Sequence, residues 1–218
     1  IFDGAASFFS GVPELDPYGA RPERDYVGLH TVSTGTAEPQ WPNSDGPRVF
    51  FYLHANYQHA ERALQALAAS RVRTLVYVLG PTDALKSRFS GVGLSFAPDL
   101  LDMFRVVAEC DLCICHGNVG TTLGMLAGGK PVLVLPKQLE NFLLGKSVER
   151  IGAGRVVHPD EATPDIAGAL AAMLGDTEYA GNARALADRY GGESVGTMAD
   201  RVVARIEALA AQTAERTA

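Results

Sequence analysis

Residues 108–154, AECDLCICHGNVGTTLGMLAGGKPVLVLPKQLENFLLGKSVERIGAG, repeat one local pattern twice. In each copy a short apolar run typical of a strand leads into a polar loop and then into a helical pattern. The runs cover residues 111–115 and 132–135. Strands that alternate with helices form parallel sheets. With similar runs at residues 48–53, 74–79 and 155–157, the sequence predicts a doubly wound α/β domain of about six parallel strands.

The first loop, residues 116–122, opens a helix at the carboxyl end of a strand. Open α/β folds bind ligands at this edge of the sheet, and the free N–H groups of a helix N-terminus attract anions. Gly117 and Gly120 would let the backbone approach a phosphate, while Thr121 and Thr122 add hydroxyl donors, and either threonine could cap the helix. We expect a phosphate site here.

The second loop, residues 137–141, follows the next strand and therefore lies at the same edge of the sheet. Together the two loops carry an ordered set of motifs that resembles the donor-sugar signature of GT-B glycosyltransferases, in particular the UDP-glycosyltransferase superfamily. The matching elements are His116-Gly-x-x-Gly-Thr, Gly129-x-Pro131, Pro136, the acid–amide pair Glu140-Asn141, and Gly152-x-Gly154. The resemblance implies a Rossmann-like fold, the C-terminal half of such an enzyme.

The resemblance also implies binding roles for individual residues. The diphosphate would be bound by the first loop, through His116, Gly117, Asn118, Gly120, Thr121 and Thr122. The sugar hydroxyls would be bound by Glu140 and Asn141, and the nucleobase by the loop after a short predicted strand at residues 92–96, through Phe96, Ala97 and Leu100. His54 and Asn56, which follow the first strand, are possible donor contacts, although a polar loop is as often only a turn.

Two positions depart from the family pattern. Members that use UDP-sugars commonly have a ribose-binding Glu eight residues after the motif His, where this chain has Gly124. The usual Asp-Gln pair is replaced by Glu140-Asn141, which moves one methylene group from the amide to the acid. The first change leaves the nucleotide open between UDP and TDP.

His116 is expected to donate a hydrogen bond or a positive charge to the diphosphate leaving group; the alternative is a structural histidine at a strand end. We assign no catalytic residue, because by resemblance the general base belongs to a missing N-terminal domain. We also expect no metal, since the helix dipole, backbone N–H groups and His116 would replace it and no Asp-x-Asp motif is present. No cofactor is expected, because the nucleotide-sugar is a substrate.

The domain organisation follows from composition. Residues 1–47 are dense in Pro and Gly and predict an interdomain linker, whereas residues 48–218 predict the donor-binding domain. Because the chain opens at Ile1 without a targeting pattern, we expect a fragment. A net charge of −6 gives no basic excess for nucleic acid or anionic membranes. Three cysteines, no signal peptide and no apolar run of membrane-spanning length predict a reducing, cytoplasmic location.

The sequence therefore predicts the donor-binding domain of an inverting glycosyltransferase. The full enzyme would transfer a hexose from a UDP- or TDP-sugar to an acceptor hydroxyl, and its partners would be the donor and the N-terminal acceptor domain; this fragment alone is expected to be inactive. Two alternatives remain open: a stand-alone nucleotide-sugar-binding module or subunit that needs a partner chain, and a sugar-nucleotide epimerase. The acceptor, the sugar and the oligomeric state cannot be read from the sequence.

Overall fold

Six parallel strands form the main sheet of the protein. The structure is a computed structural model that describes residues 6–21, 25–80, 83–89, 93–158, 160–192 and 194–217, with side chains as far as residue 212. The main sheet comprises β3 (Arg48–His54), β4 (Arg73–Leu79), β5 (Leu94–Phe96), β6 (Leu112–Cys115), β7 (Val132–Val134) and β8 (Gly154–Val156). Two further strands, β1 (Phe8–Phe9) and β2 (Asp25–Tyr26), pair in parallel as a separate small sheet.

The order across the main sheet is β5-β4-β3-β6-β7-β8, with every pair parallel. The chain thus winds outward from β3 in one direction, returns to β6 beside β3, and winds outward in the other. This doubly wound order, with its switch point between β3 and β6, confirms the predicted fold class. At such a switch point the carboxyl ends of the strands border an open crevice.

Besides a short 3₁₀ helix at Pro13–Leu15, eight α-helices accompany the sheet in the part of the chain that the structure describes. They are α1 (Ala60–Ala69), α2 (Asp83–Phe89), α3 (Met103–Glu109), α4 (Val119–Ala127), α5 (Leu139–Arg150), α6 (Ile166–Gly175), α7 (Thr177–Tyr190) and α8 (Val195–Thr217). The predicted strand at residues 92–96 is shorter in the structure, where β5 occupies residues 94–96, and Val92 lies outside the described residues.

The side chains of β3 alternate between two apolar layers, as the two-residue repeat of a strand requires. Phe50 faces a cluster built with α3, α4, α5 and α7, whereas Phe51 faces a second cluster built with α1 and α6. Both rings are at most 2% exposed. Because both faces of the sheet are covered, the inner strands β6 and β7 are apolar throughout instead of alternating with polar residues.

Part of the predicted linker contributes to the first of these clusters. Val12, Leu15 and Leu29 are buried in it, and the ring of Trp41 packs against it while its Nε1 donates to Glu109 Oε2 at 2.8 Å. The segment before β3 therefore packs on the α4 side of the sheet. Residues 1–5 and 22–24 of the predicted linker lie outside the described residues, and the domain boundary at residue 47 stays a prediction.

Candidate functional site

The crevice at the switch point begins where β3 and β6 end. His54 closes β3, and His116 follows β6 directly. The backbone N–H of His54 donates to His116 Nε2 at 2.9 Å, and the two imidazole centroids are 5.0 Å apart. Residues 62 positions apart in the sequence are thereby held side by side.

His116 is completely buried, and both of its ring nitrogens are in use. Nε2 accepts from His54, so the proton must be on Nδ1, which donates to the Leu135 carbonyl oxygen at 2.7 Å. Burial is the main reason that the pKa of His116 falls from 6.5 to about 4, with smaller contributions in the same direction from His54 and Lys137. The bond to Leu135 opposes this shift. At neutral pH the ring is therefore neutral and ties the end of β3 to the end of β7.

This arrangement changes the expectation for His116. The structure offers no free ring nitrogen that could donate to a phosphate, and the low pKa excludes a positive charge near pH 7. The alternative considered from the sequence, a structural histidine at a strand end, describes the geometry better. Its partners come from two other segments of the chain, which no local pattern could reveal.

The rest of the first loop turns sharply and opens α4. Gly117 has φ +83°, and a Cβ there would lie 2.8 Å from both the Asn141 carbonyl oxygen and Val134 Cγ1, so only glycine fits. Asn118 is the N-cap residue but makes no side-chain cap bond. Thr121 and Thr122 are inside α4, so the expectation that one of them caps the helix is wrong. The Thr122 hydroxyl is buried 3.7 Å from Cys115 Sγ.

The outer side of the α4 N-terminus is open. Val119 is 48% exposed, and apart from the chain neighbours and helix backbone of Gly120 no atom lies within 4 Å of its Cβ position. The first N–H groups of a helix have no partner inside the helix. Gly120 therefore leaves free space in front of donors that a phosphate could accept from.

The second loop presents exposed side chains, in contrast to the first. Lys137 and Glu140 are exposed, and Lys137 Nζ donates to Asn56 Oδ1 at 2.9 Å. Asn141 is buried, and its Nδ2 donates to the Gly117 carbonyl oxygen at 3.3 Å. The predicted sugar-binding pair is thus split: Glu140 faces solvent, whereas Asn141 links the two loops.

A pocket of about 180 Å³ lies on the α3–α4 side of the carboxyl edge. Of the predicted nucleobase residues, it contains Leu100, which is 52% exposed. Ala97 lines an adjoining pocket that also includes Leu100, whereas Phe96 packs against the cluster on the opposite face of the sheet. The main pocket is lined by Val32, Thr34, Phe50, Tyr52, Tyr77, Leu100, Leu101, Met103 and Thr121.

Sequence reasoning missed most of this pocket. Val32 and Thr34 belong to the predicted linker, and Tyr52 and Tyr77 look like ordinary strand residues. The tyrosine rings are 5.8 Å apart, and the Tyr52 hydroxyl lies 3.5 Å from His54 Nε2. One feature of the sequence could have indicated them. Each tyrosine stands two residues before the carboxyl end of its strand, and the two strands are neighbours in the sheet.

His54 and Asn56 lie at the crevice, as predicted for possible donor contacts. His54 is half-buried, and burial, followed by the charge of Lys137, lowers its pKa. Asn56 is exposed and accepts a hydrogen bond from Lys137.

Among the described residues, no three His, Cys, Asp or Glu side chains come together in a way that could hold a metal ion. No helix within the described ranges is long and apolar enough to cross a membrane.

Comparison with known families gives a match over residues 95–209, more than half of the chain, to the family described as "Erythromycin biosynthesis protein CIII-like, C-terminal domain". The matched range contains both loops, α4 and the residues from Phe96 to Leu101. The end of β3 and the pocket residues before Phe96 lie outside the matched range.

Curated relatives are glycosyltransferases by name. A PGL/p-HBAD biosynthesis rhamnosyltransferase of Mycobacterium bovis is 29% identical over 201 residues, which cover 89% of this chain and 44% of the relative. A PGL/p-HBAD biosynthesis glycosyltransferase of Mycobacterium tuberculosis is 27% identical over 197 residues, or 89% of this chain and 46% of the relative. The chain thus spans a little under half the length of these relatives.

Solved structures show the same architecture. The spinosyn rhamnosyltransferase SpnG superposes with a TM-score of 0.69 at 25% identity, over 81% of this chain and 50% of that one. The calicheamicin glycosyltransferase CalG4 also has a TM-score of 0.69, at 18% identity over 94% of this chain and 52% of that one, and so shows the fold alone. The fold is that of the C-terminal, Rossmann-like half of a GT-B glycosyltransferase.

Proposed function

Since the chain belongs to the family of EryCIII-like C-terminal domains, we propose that its crevice binds a nucleotide diphosphate hexose, a UDP- or TDP-sugar. The full protein would transfer the hexose to an acceptor hydroxyl with inversion, by direct displacement of the nucleoside diphosphate. The acceptor-binding half and the general base would lie outside these 218 residues, so this chain alone would bind donor without transferring it. The named relatives are transferases, which favours transfer over epimerisation.

The observation that carries this proposal is the open N-terminus of α4 at the switch point. Val119 and Gly120 are exposed there, and nothing covers the Cβ position of Gly120. The diphosphate would accept from the backbone N–H groups of residues 119–121, where the helix dipole also favours negative charge. In this proposal Gly117 allows the tight turn, and His116 fixes the position of that turn through its hydrogen bonds to His54 and Leu135.

The pocket beside α4 is suited to the nucleoside. Thr121 lines it on the diphosphate side, while Leu100 and Met103 border it on the side away from α4. A nucleobase is flat and its faces suit contact with apolar side chains, so it would lie between Leu100, Met103 and the segment around Val32. The sugar would extend the other way, toward the exposed carboxylate of Glu140, which would accept from its hydroxyls.

The surroundings of Gly124 remove the expected reason to prefer UDP over TDP. In relatives with a carboxylate at this place, the resemblance implies a grip on the ribose hydroxyls. Here the Cβ position of Gly124 lies 3.4 Å from Thr31 Cα, and the Thr31 hydroxyl donates to the Gly124 carbonyl oxygen at 3.0 Å. No acid stands there to bind a 2′-hydroxyl, so a deoxyribose loses nothing by lacking one.

Isothermal titration of the chain with TDP, UDP and GDP tests this function. We expect saturable binding of TDP, binding of UDP that is no tighter than that of TDP, and little binding of GDP. Gly120→Val would place a branched side chain at the open α4 N-terminus, where its Cβ meets no other part of the protein, and should weaken TDP binding by about 100-fold. Gly181→Val, at an equally open position in α7, is the matched control and should bind TDP like the wild type. Absence of binding to any nucleotide at millimolar concentration would contradict the proposed function.

A further inference from the structure

Three loops meet at the crevice, and a lysine closes the gap between two of them. Asn141 in the second loop donates to Gly117 in the first. Lys137, four residues earlier, donates to Asn56 in the loop after β3 at 2.9 Å. Its ammonium group therefore lies between the end of β3 and the end of β7, on the rim of the crevice that opens before α4.

Within the three loops that meet at the crevice, residues 54–56, 116–122 and 137–141, Lys137 is the only lysine or arginine. The pKa values of His54 and His116 are both lowered, with burial as the main cause and the charge of Lys137 as a further one, so both rings are neutral at pH 7. Lys137 is exposed, and within the described ranges it forms no ion pair with a carboxylate, not even with Glu140 in the same loop. A neutral amide oxygen is thus its partner.

An ammonium group with a neutral partner is ready to exchange it for an anion. Hydrogen bonds to ionised acceptors are roughly twice as strong as those to neutral ones. The move costs little, because Lys137 is exposed and Asn56 can return to solvent. The chain carries more acidic than basic residues, 25 against 19, so a phosphate in the crevice depends on local cations.

We propose that Lys137 is the cation that neutralises the donor diphosphate. Its ammonium group would exchange the hydrogen bond to Asn56 Oδ1 for one to a non-bridging oxygen of the terminal phosphate. This inference rests on the proposed donor-binding function. It gives Lys137 the charge-supplying role that the resemblance implies for His116, whose ring is buried and fully bonded. Asn56 would hold the ammonium group at the crevice until the donor arrives.

The test compares thymidine, TMP and TDP by calorimetric titration of the wild type and four variants of this chain. Lys137→Met removes the charge and should weaken TDP binding by about tenfold, TMP binding less, and thymidine binding not at all. Lys137→Arg should restore most of the affinity. Asn56→Ala loses the resting contact but keeps the charge, so it should weaken TDP binding less than Lys137→Met does, and an equal or larger loss would overturn the role of Lys137. Lys130→Met, before the opposite end of β7, makes the same change in net charge and should have no effect.

Each outcome decides a different point. Equal TDP affinity of the wild type and Lys137→Met would overturn the role of Lys137 while leaving the donor-binding function intact. An equal loss for thymidine and TDP would also overturn it, since that loss would come from a distorted loop and not from charge. Failure of the wild type to bind any of the three ligands would overturn the proposed function and this inference with it.

Discussion

The first loop, residues 116–122, completely buries two of its four polar side chains, whereas the second loop, residues 137–141, leaves most of its polar side chains exposed. His116 and Thr122 are completely buried, while Lys137 and Glu140 are exposed. The first loop carries the more recognisable sequence motif, yet its side chains serve mainly to shape a turn that exposes backbone N–H groups. A motif residue can therefore build a site without contacting the ligand, and less conspicuous neighbours can supply the side-chain chemistry.

The largest effect on stability is expected from His116→Ala. The variant leaves the His54 N–H and the Leu135 carbonyl without the partners they have in the wild type, and it opens a cavity in a close-packed region. Together these should lower the free energy of unfolding by about 4 kcal/mol. Urea denaturation at pH 7.5 measures this loss in the free energy of unfolding. The control is His158→Ala, which removes an exposed imidazole and should cost less than about 0.5 kcal/mol; equal losses in the two variants would contradict a structural role for His116.

Gly117→Ala should be the next most severe change. Its φ of +83° disfavours any side chain, and the new Cβ would meet the Asn141 carbonyl oxygen at 2.8 Å. We expect a loss of about 3 kcal/mol in the free energy of unfolding. The matched variant is Gly120→Ala, in the same loop but with open space and a helical backbone, which should raise stability by about 0.5 kcal/mol. If both glycines tolerate alanine alike, the tight turn in the first loop is not as described.

The burial of His116 should also make stability depend on pH. Its pKa is lowered from 6.5 to about 4 in the folded protein, so between these values the unfolded chain binds more protons and stability falls as the pH falls. The shift corresponds to a loss of about 2 kcal/mol between pH 7.5 and pH 5. The lowered pKa of His54 acts in the same direction. Urea denaturation of His116→Ala should show a much smaller pH dependence than the wild type over this range; an unchanged dependence would mean that His116 is not the group that titrates.

The smallest effects come from the pair that joins the loops. Asn141→Ala removes the hydrogen bond to Gly117 and should cost about 1 kcal/mol of stability. Glu140→Ala alters an exposed side chain on the same turn of α5 and should leave stability within about 0.5 kcal/mol. It should instead reduce the difference in affinity between a TDP-hexose and TDP, measured by titration. A sugar-dependent loss in Asn141→Ala but not in Glu140→Ala would reverse the roles assigned to the pair.

The fold could be predicted well from the sequence because its signals are local. Apolar runs such as residues 48–53, the helical spacing after them and the glycines between them identify each element where it stands. The burial of Val12, Leu15 and Leu29 in the segment before β3 was not predicted, since these residues are scattered among Pro and Gly without periodicity. Their burial depends on a surface made by α4 and its neighbours, which no short window contains.

The position of the site could be predicted from the sequence, but the contacts of its side chains could not. The order of strands and loops places residues 54–56, 116–122 and 137–141 at one edge of the sheet. The direction of each side chain depends on partners far away in the chain: His116 bonds to residues 62 and 19 positions distant, and Lys137 to one 81 positions distant. A motif fixes residue types and spacing, whereas burial and hydrogen bonding are decided by the assembled loops.

An NMR titration of the isotope-labelled chain with TDP tests the central claim most directly, because it reports on each backbone N–H group separately. The account predicts large, saturable shifts for the amides of Val119, Gly120 and Thr121, with smaller shifts around Leu100 in the pocket. It also predicts little change at the opposite edge of the sheet, near Lys130. Shifts concentrated away from the α4 N-terminus, or no shifts at all at millimolar TDP, would contradict the assignment of this crevice as the donor site.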